Sequence, residues 1–233
     1  MIGSAKAQSL NVPKEGKAVR AEIVKISSEH PESSLVKYAA DQIRSGEVLG
    51  MPTDTFYGLA ADPFNLRAVD KVYDIKTRSR HKPLSLLIES TDQAEELAKP
   101  LPDEFYALAR KFWPGPLTLI VKAGSRLPLK VTANTGNVAL RVPNAKIPLA
   151  VVTAAAIPIT ATSANLSGAS ECTSAEQVRD QLEGRISIIV DGGTSPRDVA
   201  STIIDLSDDS ERWRIIREGA IPADQISTFF ARG

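Results

Sequence analysis

The chain has 233 residues, 42% of them apolar and 24% charged, with 28 basic and 28 acidic side chains. These proportions belong to an ordinary globular protein and exclude a disordered, collagen-like or low-complexity chain. With no net charge there is no global field to draw the protein to nucleic acid or an anionic membrane, so any anion site must be local.

A chain of this length buries roughly 70% or more of the surface it exposes when unfolded, enough for a large core. One domain over residues 21–233 is expected, after a mobile tail over residues 1–20 that lacks the apolar centre of a secretory signal. The apolar stretch from Leu149 to Ala161 is broken by Pro158 and is too short for a membrane helix. Cys172 is the only cysteine. That excludes an internal disulfide and a cysteine-built zinc site, and it suits the reducing cytoplasm.

In chain order, EIVKIS (Glu22 to Ser27) alternates as a short strand does. SLVKYAADQIRSG then reads as a helix with Ser33 or Ser34 as its cap, Leu35, Val36, Ala39, Ala40 and Ile43 as its apolar face, and Gly46 as its stop. VLGMPTDT runs from a strand into a turn. NLRAVDKVYDIK (Asn65 to Lys76) is a second helix, and PLSLLIES is a buried strand. TDQAEELAK and DEFYALARKFW show helical spacing, each with acids at its start, and the second ends at WPGP. LTLIVKA and NVALRVP read as strands, PLAVVTAAA as a helix of small residues, and ITATSAN as a strand entering a polar turn. SAEQVRDQL reads as a capped helix, followed by the strands SIIVDGG, STIIDLS and RWRIIREG. The alternation predicts an α/β domain with a twisted, mixed β-sheet flanked by helices.

No GxxxxGK[ST] loop, GxGxxG turn, HExxH or GxSxG motif occurs. His30 and His81 stand in polar stretches beside proline and read as surface residues. Any catalysis therefore rests on binding and orientation more than on a side-chain nucleophile.

Four polar clusters sit at the ends of apolar elements, where an open α/β sheet holds its ligands. PTDTFYGL offers the hydroxyls of Thr53, Thr55 and Tyr57, and also reads as a plain turn. KTRSRHK brings Lys76, Arg78, Arg80 and Lys82 together before Pro83. It suits a polyphosphate, or else is a solvated loop. TATSANLSG carries Thr160, Thr162, Ser163, Asn165 and Ser167, an anion nest or a capped turn. The last cluster joins DGG and STIIDL to IIREG, with Ser201, Thr202 and Arg217 at strand ends. Its glycine pair lets backbone approach a ligand closely. Asp191 and Asp205 read as turn caps before they read as holders of water or Mg²⁺. WPGPLT reads as a rigid corner with its indole packed in the core. Spacing alone stops at an α/β domain that binds a phosphorylated small molecule.

Taken in order, PTDTFYGL, the Lys76/Arg78 pair, WPGPLT, VALRVP, the Ser163/Asn165 pair, DGG, STIIDL and IIREG resemble the YrdC/TsaC family of threonylcarbamoyl-AMP synthases, from about Ala21 to Ile221. The resemblance implies a single-domain cytoplasmic enzyme with a concave basic groove. It implies condensation of L-threonine, bicarbonate and ATP, with Mg²⁺ accompanying the ATP, into threonylcarbamoyl-AMP and pyrophosphate. A TsaD-type enzyme would then transfer the group to tRNA. By the same resemblance Thr55, Arg141 and Ser201 hold L-threonine, and Lys76, Arg78, Lys82, Asn137, Ser163, Asn165 and Arg217 hold ATP. Lys76 and Arg78 are also its catalytic cations, and no residue is assigned to a metal. Leu87 stands where some relatives have a histidine, and Asn137 where some have a threonine. The alternatives are a module that binds double-stranded RNA or tRNA without chemistry, which a neutral chain with 5% aromatic residues suits poorly, and a hydrogenase-maturation enzyme, which would be much longer.

Overall fold

A computed structural model describes residues 21–196, 199–208 and 210–231. The tail expected over residues 1–20 lies outside the described residues. In chain order the elements are β1 (Glu22–Lys25), α1 (Ser33–Arg44), β2 (Leu49–Met51), β3 (Gly58–Ala60), α2 (Leu66–Lys76), β4 (Ser85–Leu87), α3 (Thr91–Leu97) and α4 (Asp103–Phe112). Then come β5 (Leu117–Lys122), α5 (Leu129–Thr132), β6 (Asn137–Arg141), α6 (Lys146–Ala155), β7 (Ile159–Thr160) and β8 (Thr162–Ser163). The chain continues with α7 (Ala175–Leu182), β9 (Ile188–Asp191), β10 (Thr202–Asp205), β11 (Arg214–Arg217) and α8 (Ala223–Ala231).

The strands form two mixed sheets rather than the one expected. The first has the order β1-β9-β2-β3-β8 and the second β11-β10-β5-β6-β4-β7. ITATSAN is where they meet. β7 pairs with β4 in the second sheet and β8 with β3 in the first, and only Ala161 separates them. The chain therefore crosses from one sheet edge to the other within a single residue.

Side-chain alternation gives the second sheet two different faces. Leu84, Leu86, Ile88, Leu117, Leu119, Val121, Val138 and Leu140 enter the larger hydrophobic core. The positions between them, Ser85, Leu87, Thr118, Ile120, Ala139 and Arg141, line an open cavity. The strands read as buried are thus covered by protein on one face and turned to the cavity on the other. A second core cluster packs α1 and α6 against β1, β2 and β9, with Ile43, Leu49, Val151 and Val152 fully buried.

Capping follows the sequence in three helices. Asn65 Oδ1 accepts from the N–H groups of Arg67 and Ala68, Ser90 caps α3, and Ser174 caps α7. In α1 the cap is Glu32, so Ser33 and Ser34 fall inside the first turn. The Glu32 carboxylate does not bond the helix start; it accepts from Ser27 N at 2.9 Å and pins the strand exit instead.

Candidate functional site

The cavity over the second sheet has a volume of about 300 Å³ and takes its walls from both sheets. The first sheet and the turns beside it contribute Thr53, Thr55, Tyr57, Gly58, Thr162 and Ser163 to its lining, together with Glu171. Arg78 and Pro83 from the basic loop, and Ser201, Ile203 and Arg217 at β10 and β11, complete it. Three guanidinium groups, those of Arg78, Arg141 and Arg217, face this space with one carboxylate, Glu171.

Each arginine is held in place before any ligand arrives. Arg78 donates from Nη2 to the Pro83 carbonyl at 2.9 Å and from Nε to the Lys82 carbonyl at 3.3 Å. Arg217 donates from Nε and Nη2 to the Ser201 carbonyl at 3.1 and 2.8 Å, and from Nη2 to Ser201 Oγ at 3.2 Å. Arg141, with its side chain 8% exposed, donates from Nε to Gly115 O, from Nη1 to Thr55 Oγ1 and from Nη2 to Asp54 Oδ1. Burial pushes the pKa values of Arg78 and Arg217 below the ordinary guanidinium value. Guanidinium still stays charged, so these partly desolvated cations favour an anionic ligand.

The turns that carry the hydroxyls are braced from behind. Thr53 Oγ1 donates to Phe56 O at 2.7 Å and accepts from Thr55 N at 3.0 Å, closing the PTDT turn on itself. The buried Tyr57 hydroxyl donates to Gly193 O at 2.6 Å, and burial raises its pKa. Of the DGG pair Gly192 is closely packed, whereas a Cβ on Gly193 would meet nothing within 4 Å. A Cβ on Gly192 would lie 2.5 Å from Ile147 Cδ1 and 2.9 Å from Pro52 Cγ. A Cβ on Gly219 would lie 2.3 Å from the Ala200 carbonyl oxygen, so only glycine lets IIREG close against Ser201.

Lys76 is 2% exposed and does not line the cavity. Its ammonium donates to the carbonyls of Ser163 and Asn165 and to Asn165 Oδ1, the last two at 2.8 and 2.9 Å. Asn165 is also buried. Its Oδ1 accepts from Ser163 Oγ at 2.7 Å and its Nδ2 donates to Ala169 O at 2.6 Å. Lys76 and Asn165 thus shape the turn that presents Ser163. Burial, with Arg78 second, lowers the Lys76 pKa to about 8.

Of the remaining expected site residues, Thr55, Ser163, Ser201 and Leu87 line the cavity. Asn137 begins β6, on the strand face shared by Ala139 and Arg141 but beyond the lining residues. Lys82 is exposed and outside the lining set. The basic cluster therefore divides. Arg80 turns away to Asp70 and Asp74, with contacts of 2.5 and 2.9 Å, so its anion is supplied by α2. Asp191 and Asp205 cap turns, accepting from Gly193 N and Ser207 N, each at 2.9 Å. His30 and His81 are exposed. Trp113 packs edge-on against Phe105 and donates to Leu117 O, which fixes the corner whose Gly115 carbonyl receives Arg141.

Sequence reasoning missed Asp54, Gly115 and Glu171 as members of the site. Asp54 lay inside a motif already singled out, but its partner is 87 positions away. The Gly115 contact is made by a carbonyl, which no side-chain pattern announces.

The Sua5/YciO/YrdC family model, described as "Telomere recombination", matches residues 41–219. Threonylcarbamoyl-AMP synthase of Pyrococcus abyssi is 38% identical over 200 residues, covering 85% of this chain and 58% of that protein. The protein of the same name from Bacillus subtilis is 41% identical over 192 residues, covering 82% and 55%. The crystal structure of P. abyssi Sua5 complexed with L-threonine superposes with a TM-score of 0.86 at 36% identity, covering 90% of this chain and 61% of that one. The chain thus spans little more than half the length of these relatives. No helix among the described residues is long and apolar enough to cross a membrane. On sequence and on fold, the chain belongs to the Sua5/YciO/YrdC family.

Proposed function

We propose that the protein is a threonylcarbamoyl-AMP synthase, which condenses L-threonine, bicarbonate and ATP and releases pyrophosphate. The observation that carries this reading is the set of three anchored guanidinium groups facing one hydroxyl-lined cavity. Such a site binds and orients anions, and adenylate formation needs little more. The names of the relatives and the L-threonine bound to P. abyssi Sua5 supply the substrate.

In this reading Arg141 receives the amino-acid carboxylate on the N–H groups that its three fixed partners leave free, beside Thr55 and Ser201. Bicarbonate loses hydroxide to give CO₂, the amine nitrogen bonds to its carbon, and the proton the amine gives up leaves with that hydroxide as water, forming a carbamate. A carbamate oxygen attacks the α-phosphorus; the new O–P bond forms as the bond to pyrophosphate breaks. Arg78 and Arg217 stabilise the charge that develops on the phosphates, and Ser163, whose proton is held by Asn165 Oδ1, offers its hydroxyl oxygen as an acceptor to the nucleotide. Lys76 and Asn165 act by holding that turn. Asn137 extends the strand face toward the nucleotide, and Lys82 adds charge from outside the cavity.

Among the described residues no group of three acids, histidines or cysteines is placed to hold a metal. Glu171, the single carboxylate lining the cavity, would hold a Mg²⁺ ion bound mainly through phosphates and water. When bound, Mg²⁺ neutralises phosphate charge. The product would pass to a TsaD-type enzyme acting on tRNA, in the cytoplasm. An RNA-binding module without chemistry is not favoured by the relatives.

Purified protein supplied with ATP, Mg²⁺, bicarbonate and L-threonine is expected to release pyrophosphate, and to stop when threonine is omitted. Equal release without threonine contradicts the reading.

A further inference from the structure

Arg141 is fixed in its plane by three acceptors, of which Gly115 O and Thr55 Oγ1 are neutral and the Asp54 carboxylate alone is charged. Both partners of the ion pair are almost fully buried, with side chains 8% and 5% exposed. Among the described residues the Asp54 carboxylate makes no other hydrogen bond or ion pair. Its Oδ1 accepts from Arg141 Nη2, and its Oδ2, also buried, has no protein partner among the described residues. A buried carboxylate satisfied on one oxygen is a costly way to fill space, since an apolar side chain of similar volume often serves stability as well or better.

Asp54 does not line the substrate cavity. It lines an adjoining cavity of about 420 Å³ with Pro52, Pro114 and Lys146, and Thr53 is the wall common to the two. Its effect on a ligand in the substrate cavity must therefore pass through Arg141. We propose that Asp54 is the positioning residue of the amino-acid subsite, setting the orientation of the Arg141 guanidinium so that its free N–H groups meet a carboxylate. The inference rests on the threonine-binding role given to Arg141 above.

The test is L-threonine and ATP binding by calorimetry, with KM and kcat for pyrophosphate release, in the wild type, Asp54→Asn and Asp54→Ala, each checked for a cooperative thermal melt. Asp54→Ala is expected to raise the Kd and KM for L-threonine about tenfold or more, the cost of loosening a charged hydrogen-bonded contact. ATP affinity should stay within about twofold, because none of the residues given to the nucleotide bonds to Asp54 or Arg141. Asp54→Asn keeps an oxygen acceptor for Nη2 and should retain more threonine affinity than Asp54→Ala. Added formate, small enough to enter from the adjoining cavity, should restore threonine affinity to Asp54→Ala and leave the wild type unchanged. Unaltered threonine affinity in Asp54→Ala overturns the proposal, as does an equal fall for threonine and ATP, or no effect of formate on the folded variant. If the wild type releases no pyrophosphate with threonine while Asp54→Ala still weakens threonine binding alone, the synthase reading fails and the positioning role stands.

Discussion

The ammonium of Lys76 and the side-chain oxygen of Asn165 are 2.9 Å apart, and the same oxygen accepts from Ser163 Oγ. A cation at the end of α2 thereby fixes the only hydroxyl of the S-x-N turn that reaches the cavity. Because burial lowers the Lys76 pKa to about 8, its charge is lost within an accessible range. The ammonium is present below that value and gone above it, and an anionic nucleotide favours the charged form. ATP affinity is therefore expected to fall as pH rises through about 8, read as a Kd series on either side. A flat profile there contradicts the role.

Arg78→Ala removes a guanidinium that faces the cavity and is anchored on Pro83 and Lys82 carbonyls. Loss of one charged contact is expected to weaken ATP binding by about 1.5–3 kcal/mol. Calorimetric titration checks it, with threonine affinity as the internal comparison.

Arg80→Ala is the matching control. Its ion pairs with Asp70 and Asp74 are exposed and lie outside the cavity. Kinetic constants should be unchanged, and urea denaturation should show a loss of no more than about 1 kcal/mol.

Gly219→Ala forces a Cβ to within 2.3 Å of the Ala200 carbonyl oxygen. The strand end must shift, carrying with it the Arg217 contacts to Ser201. A stability loss of about 1–3 kcal/mol is expected from overpacking, with a larger fractional loss of kcat/KM than Arg80→Ala shows. Wild-type kinetics in this variant would separate the strand end from the site.

Much of this architecture is legible in the residues. The helix at Leu66–Lys76 shows its cap and apolar stripe directly, and the motifs around Thr55, Arg78, Ser163 and Arg217 meet in one cavity. What stayed hidden has identifiable causes. β7 and β8 have two residues each, too few for any periodicity, so the division into two sheets leaves no pattern. β3 is masked by the glycine that also closes the PTDTFYGL turn. α8 carries Ile226, Phe229 and Phe230 at helical spacing, a signal that was present but followed the last recognised motif. Lys76 ends the second helix and opens the charge run, and no local pattern marks the carbonyls of Ser163 and Asn165, 87 and 89 positions away, that receive its ammonium. Arg80 belongs to the same charge run, and only the position of Asp70 and Asp74 on α2 separates it from Arg78.

The most direct test of the central claim, that one cavity joins an amino acid, a one-carbon unit and a nucleotide, is mass spectrometry of the product formed with ¹³C-labelled bicarbonate. The account predicts an adenylate whose mass includes threonine and the labelled carbon. ADP and phosphate, or AMP with no labelled adduct, would contradict it.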